Sequence, residues 1–227
     1  MERQLDEELN ELKEKLLRMA SLAEESISKA IKALVERDKR LAEEVIKSDD
    51  AINMLDIEVD DHCLKLLALK QPAATDLRFI ASAMKINSDL ERIGDLSVNI
   101  AQRALGLMTQ PLLKPLIDIP RMAQLSQKMV KDSLDAFVNR DPELAQNVCL
   151  RDDEVDQLNQ QIFRELLTFM MEDAKTITRC VDLLLIGRHL ERIADHATNI
   201  GEDVFYMVKG KSMKHHLQEK LLGKKGF

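Results

Sequence analysis

Leu190-Glu191-Arg192-Ile193-Ala194-Asp195, followed by Asn199-Ile200, repeats Leu90-Glu91-Arg92-Ile93-Gly94-Asp95, followed by Asn99-Ile100, at a constant offset of 100 residues. A duplicated chain drifts where only helicity and burial are required. Keeping Glu, Arg, Asp and Asn in both copies points to chemistry as well as architecture. The repeat extends further at an offset of 103: Met19-Ala20 matches Met122-Ala123, and Ala33, Val35, Arg37, Asp38, Leu41, Ala42 and Val45 match Ala136, Val138, Arg140, Asp141, Leu144, Ala145 and Val148. Asp49-Asp50 then matches Asp152-Asp153. The offset falls from 103 to 100 where the first half carries the extra Gln71-Pro72-Ala73-Ala74 region. This period is too long for a solenoid repeat, so the chain reads as a pseudo-symmetric pair.

Helical periodicity fills each half. Leu5, Leu9, Leu12, Leu16, Met19, Ala23, Ile27, Ala30 and Leu34 follow at intervals of three or four, the seam of a long amphipathic helix in a coiled-coil-like bundle. Arg37-Asp38 ends it. A second helix is predicted over Lys39–Lys70, with Leu41, Val45, Ile52, Leu55 and Val59 on its apolar face. A third is expected to start after a cap at Thr75 or Asp76 and to reach Met108. Three more are expected over Arg121–Asn139, Pro142–Glu172 and Lys175–Lys209, the last stopped by Gly210. Prolines 72, 111, 115, 120 and 142 fall between the periodic runs. No alternating strand pattern or Asn-Gly hairpin is present. The fold class is all-α: two pseudo-symmetric three-helix bundles, six long helices in all. The expected domains are residues 1–109, a linker 110–120, residues 121–210 and a basic tail 211–227.

Composition narrows the function. The 227 residues are 45% hydrophobic and 32% charged, enough for a core. Scarce Gly (7) and Pro (5), with no Trp, favour helix. A net charge of −7, one Tyr and six Phe argue against nucleic-acid binding, which needs a basic face and stacking platforms. Cys63, Cys149 and Cys180, odd in number and widely spaced, read as buried hydrophobes in a reducing compartment. The charged N-terminus is not a signal peptide, and the apolar runs are far short of the roughly 20 residues of a membrane span. A cytoplasmic protein without direct membrane insertion is expected.

At about 100° per residue, Glu91, Asp95 and Asn99 share one stripe, opposite Leu90, Ile93, Ser97 and Ile100. Glu191, Asp195 and Asn199 do the same against Leu190, Ile193, Ala197 and Ile200. These acids are therefore off the core. The second helix of each half adds an i, i+4 pair, Asp49 with Asn53 and Asp152 with Asp156, near enough to meet the stripe of its neighbour. Like charges at that spacing repel by about 0.2–0.5 kcal/mol, and a multivalent cation reverses the sign. Oxygen-only ligation suits magnesium, manganese, calcium, iron or zinc. A solvated face is the competing reading, with Arg92 and Arg192 placed to pair with Asp95 and Asp195, and Arg188 with Glu191. His62, His189 and His196 read as isolated, and the Glu-x-x-His motif of di-iron bundles is missing. His196 reads as a surface histidine. No phosphate-binding Gly-rich loop or hydrolase nucleophile motif occurs. Lys211, Lys214, His215, His216, Lys220, Lys224 and Lys225 form a basic patch, read as a solvated tail ahead of a dock for a partner or an anionic lipid surface.

The strings above, together with Asp76-Leu77-Arg78, Pro115-Leu116-Ile117-Asp118-Ile119-Pro120-Arg121-Met122-Ala123, Asp195-His196-Ala197-Thr198-Asn199-Ile200 and Val204-Phe205-Tyr206-Met207-Val208-Lys209-Gly210, resemble the PhoU family of phosphate-transport and phosphate-signalling regulators. The similarity covers nearly the whole chain. It implies two three-helix bundles, dimerisation, and Glu/Asp-x-x-x-Asp motifs that bind divalent or trivalent metal ions, in multinuclear clusters. Iron, zinc, manganese and magnesium are not distinguished. By position the ligands are Glu91, Asp95, Glu191, Asp195, Asp152, Asp156 and Asp49, with Asn53 a weaker, neutral ligand in the first half. Arg92, Asn99, Arg192 and Asn199 would support them. The resemblance further implies a non-enzymatic repressor of the phosphate-starvation response. Such a protein bridges the ATPase subunit of the phosphate ABC transporter and a sensor histidine kinase. The alternatives are a metal-dependent carboxylate-bundle enzyme or a metal store.

Overall fold

The computed structural model describes residues 2–70 and 72–213. Among the described residues the chain runs through seven α-helices: α1 Glu2–Glu36, α2 Lys39–Lys70, α3 Ala74–Met108, α4 Asp118–Asn139, α5 Pro142–Leu150, α6 Asp152–Glu172 and α7 Ile177–Lys209, with a 3-10 turn at Ala174–Thr176 before α7. No strand occurs among the described residues. The six-rod plan holds, with one rod jointed. The helix expected over Pro142–Glu172 divides at Arg151, whose N–H bonds back to the Val148 carbonyl at 3.1 Å while its own carbonyl accepts from the Glu154 N–H at 3.0 Å. These three-residue bonds tighten one turn and let the rod bend without leaving its course.

The helix ends follow local chemistry, not always as expected. α3 begins at Ala74 with Ala73 in the cap position and no side-chain cap bond, so neither Thr75 nor Asp76 caps it. Asp76 lies in the first turn instead, where its charge favours the helix dipole. α4 begins three residues early, at Asp118, with Pro120 in its first turn, where a missing N–H breaks no intrahelical bond. The α1–α2 corner and its copy between α4 and α5 are built alike. Arg37 and Arg140 adopt left-handed φ of 56° and 53°. Asp38 then accepts the Arg40 and Leu41 N–H groups at 2.9 and 3.2 Å, and Asp141 accepts those of Glu143 and Leu144 at 2.9 and 3.0 Å. Gly210, at φ 66°, closes α7 in the conformation that favours glycine.

The expected seam of α1 is the core: Leu12, Leu16, Met19, Ala23, Ile27 and Ala30 are fully buried. They meet Val45, Ile52 and Val59 of α2 and Ile86, Leu90, Ile93 and Ile100 of α3. α4, α6 and α7 repeat the arrangement around Met122, Met129, Val155, Ile162, Leu190 and Ile193. Cys63 and Cys180 are buried, Cys149 is half-buried, and all three are free thiols. Burial, ahead of nearby carboxylates, pushes Cys63 and Cys149 up to about 12, so neither is a ready nucleophile.

The halves join along two antiparallel pairs, α3 with α7 and α1 with α4. Arg78 donates to the Met207 carbonyl at 3.3 Å, Ser82 to the Asp203 carbonyl at 3.3 Å, and Arg103 Nη1 reaches Asp182 at 3.2 Å. One number falls as the other rises. Gln127 donates to the Glu24 carbonyl at 3.4 Å. The two occupy the same place in the repeat, so the pseudo-twofold axis passes between them. Phe79 stacks on Phe137 with ring centroids 5.3 Å apart, pinning α3 to α4. The segment between α3 and α4 is also tied down: Arg37 donates to the Met108 and Gln110 carbonyls at 2.7 and 2.6 Å, and Arg179 to that of Pro111 at 3.1 Å. The basic tail from Lys214 onward lies outside the described residues.

Candidate metal centre

In the first half, α2 and α3 lie side by side and present their polar edges to one groove. Gly94 on α3 makes this possible. A Cβ there would stand 3.0 Å from Ile52 Cδ1 and 3.4 Å from Asp49 Oδ1. Its absence lets α2 bring Asp49 against α3. Burial raises Asp49, opposed by the Asn53 amide and reinforced by the Asp95 and Asp50 charges. Asn53 Nδ2 donates to Asp49 Oδ2 at 3.3 Å. Glu91 is raised by burial, then by Asp95, with Asp56 and Asp49 adding to the effect against Arg92. Arg92 Nη1 bonds Asp95 Oδ2 at 3.1 Å, and its Nε lies 3.4 Å from Glu91. Asn99 is half-buried further along the same stripe.

In the second half α6 and α7 form the counterpart. Burial, then Asp195, Asp156 and Asp153, push Asp152 to about 6. Asp156 is raised by burial and then Glu191, and Asp195 by burial and then Asp156. Glu191 receives two close donors, Arg188 and Asn159. Gly187 admits the second of these, for a Cβ there would meet Asn159 Oδ1 at 2.9 Å. Arg192 acts on Asp195 as a neighbouring positive charge. Asn199 instead donates to Asp89 Oδ1, on α3, at 3.3 Å. Burial is the larger cause in both grooves and neighbouring carboxylates the smaller, and a multivalent cation would relieve that repulsion. The oxygen donors fit hard or borderline cations.

Asp56 belongs to the first groove and was not singled out from the sequence. It lies two helical turns from Asp49 on the same face of α2, raised by burial and then Asp60. Asn87 Nδ2 donates to its carboxylate at 2.7 Å. The signal was present in the repeat: at the 103-residue offset, Asn53 and Asp56 correspond to Asp156 and Asn159. The Asn and the Asp have exchanged places. At these repeat positions one groove holds Asp49, Asp56, Glu91 and Asp95, with Asp50 and Asp60 beside them, and the other holds Asp152, Asp156, Glu191 and Asp195, with Asp153 beside them.

The histidines are not all isolated. His196, expected at the surface, is largely enclosed, with Nδ1 2.7 Å from Asp89 Oδ1 across the α3–α7 pair. His62 Nε2 lies 3.0 Å from Glu8 Oε2. His189 is held below the usual range by burial and then by Arg192 and Arg103. Among the described residues, the one group of three or more His, Cys, Asp or Glu with ligand atoms all within 4.8 Å is Glu8, Glu11 and His62. Periodicity could not find it, because its members come from helices read separately.

Two duplicated helical bundles, each with an acidic groove between its second and third rods, define a tandem-repeat helical-bundle protein. A model of the PhoU domain matches residues 16–104 and again 119–204. The chain is 45% identical over 217 residues to the phosphate-specific transport system accessory protein PhoU homolog of Aquifex aeolicus, covering 95% of this chain and 98% of the relative. It is 40% identical over 213 residues to the protein of the same description from Pseudomonas aeruginosa, covering 93% and 88%. The crystal structure of PhoU from Pseudomonas aeruginosa superposes with a TM-score of 0.88 at 40% identity, covering 91% of this chain and 99% of that one. The phosphate transport system regulatory protein PhoU from Streptococcus pneumoniae gives 0.85 at 36% identity, covering 92% and 99%. The chain belongs to the PhoU family. That family consists of accessory and regulatory proteins, not enzymes.

Proposed function

We propose that this protein is an accessory regulator of a phosphate-specific transport system, in which the two acidic grooves bind metal and the helical faces dock partner proteins. The relatives' descriptions support the transport role. The observation that carries the metal is the exchange of Asn and Asp between positions 53/56 and 156/159, which leaves a pair of second-helix acids against the Glu-x-x-x-Asp pair of the third helix in both halves. A solvated face has no reason to keep that pairing. Metal in the grooves would come through Glu91, Asp95, Asp49 and Asp56 in one half, and through Glu191, Asp195, Asp152 and Asp156 in the other, as a multinuclear cluster of divalent or trivalent ions. Arg92, Arg192 and Asn99 stand at the rims as supports, and Asn53 as a neutral ligand beside Asp49.

In this reading the protein acts in the cytoplasm as a homodimer. It bridges the transporter's ATPase subunit and a sensor histidine kinase, and it represses the starvation response when phosphate is plentiful. No helix among the described residues is long and apolar enough to cross a membrane, which fits docking in place of insertion. Phosphate, itself an anion, would reach an acidic groove only through a bridging cation. The chain then divides into a first repeat at 1–109, a linker at 110–120, a second repeat at 121–210 and a basic tail at 211–227. Elemental analysis of protein purified without chelators, repeated on Glu191→Ala/Asp195→Ala, tests the metal. Capture of the transporter ATPase and the sensor kinase tests the partners, and capture of neither overturns the adaptor role.

A further inference from the structure

We propose a second kind of metal site, of the zinc class, at the outer corner of the first half, built by Glu8 and Glu11 of α1 and His62 of α2. It shares no residue with the grooves. The three side chains offer ligand atoms all within 4.8 Å of one another. The two glutamates stand one turn apart on α1. His62 is only 7% exposed and aims Nε2 at Glu8 Oε2, 3.0 Å away. Its other nitrogen, Nδ1, is buried without a hydrogen-bond partner among the described residues.

The second half shows what this corner looks like without that chemistry. In the register of the repeat, Glu11 corresponds to Lys114 and His62 to Glu165. Lys114 and Glu165 form a close ion pair, with the lysine side chain only 10% exposed. That corner is closed by its own opposite charges. The first-half corner instead gathers two carboxylates and an imidazole. Lys15, at its rim, divides itself between Glu11 at 3.3 Å and Glu58 at 3.9 Å. Glu58, Asp61 and Lys65 complete the shallow depression.

The donor set distinguishes this corner from the grooves. One imidazole nitrogen with two carboxylates is a mixed N/O set that zinc accepts, leaving a fourth position for water or a partner's group. The all-oxygen grooves suit harder cations. The site also has a mechanical consequence. α4 starts at Asp118, in the register of Lys15, so the turns of α1 that carry Glu8 and Glu11 have no helical counterpart in the second half. Zinc would clip that extension to the end of α2.

Zinc titration of the full chain, read with X-ray absorption at the zinc edge, tests this. One zinc with an imidazole in its first shell is expected in the parent protein and in Asp95→Asn/Asp195→Asn. His62→Ala and Glu8→Gln/Glu11→Gln should each weaken that zinc at least about tenfold, with helicity by circular dichroism unchanged in the glutamine pair. An oxygen-only first shell overturns the proposal. So does unaltered affinity in either corner variant. Loss of the imidazole-bound zinc from the groove variant also overturns it, whereas loss there of oxygen-bound metal only, with that zinc retained, supports it.

Discussion

The two grooves place the acids of their second helix differently. In the first, α2 contributes Asp49, Asn53 and Asp56; in the second, α6 contributes Asp152, Asp156 and Asn159. The difference teaches that an acid one helical turn further along α2 than along α6 still faces the third helix of its half. The outer corners differ in the opposite sense: one is neutralised by Lys114 and Glu165, the other holds Glu8, Glu11 and His62.

The largest expected effect separates the halves themselves. Phe137 is fully buried and stacks on Phe79, and neither has an aromatic counterpart in the repeat. Phe137→Ala should lower the unfolding free energy by about 3–5 kcal/mol in chemical denaturation. A cost near that of a surface substitution would show that the halves do not depend on this contact. The grooves come next. Asp156→Asn should weaken metal binding by the second groove at least about tenfold in calorimetric titration. Adding Asn159→Asp recreates the first groove's pattern and should restore most of it. If the double variant stays as weak as the single one, position rather than carboxylate count governs the groove.

A pH series sharpens the same comparison. Asp152 is raised from 3.8 to about 6 in the folded protein. A raised carboxylate favours the folded state below the unfolded value, and that contribution is lost as pH rises through about 6. Near pH 7 the second groove therefore carries its full repulsion. Added divalent cation should raise Tm most there, and the increment should shrink as pH falls from 7 towards 4, where protons replace metal. The smallest effect tests where the halves agree. Asp38→Ala and Asp141→Ala should each cost about 1 kcal/mol by thermal or chemical unfolding, because both aspartates cap two N–H groups in matching geometry.

The helices were legible because their signals are local and repeated. Nine α1 positions at three- and four-residue spacing determine one face, and Asp38, Asp141 and Gly210 mark ends through their own side chain or backbone freedom. The start of α3 was not legible, because Ala73 supplies the cap position with no side-chain bond for a sequence pattern to register. The joint at Arg151 was invisible for a similar reason: the residue keeps helical angles and only its hydrogen-bond partner changes. In the grooves, Glu91, Asp95, Glu191 and Asp195 stood out through the repeated string, whereas Asp56 was hidden because its counterpart is Asn159.

By itself the amino-acid sequence determined the all-α class, the duplication, the burial of one face of each rod and the acidic character of the opposite face. These follow from 3.6-residue periodicity and short-range propensity. Tertiary structure alone decided which polar edges meet. The close approach over Gly94 and Gly187, the pairing of His196 with Asp89 and the meeting of His62 with Glu8 each join residues far apart in the chain. Helical periodicity places a side chain on a face. The partner across that face depends on the crossing and register of two rods, which the packing of their cores sets.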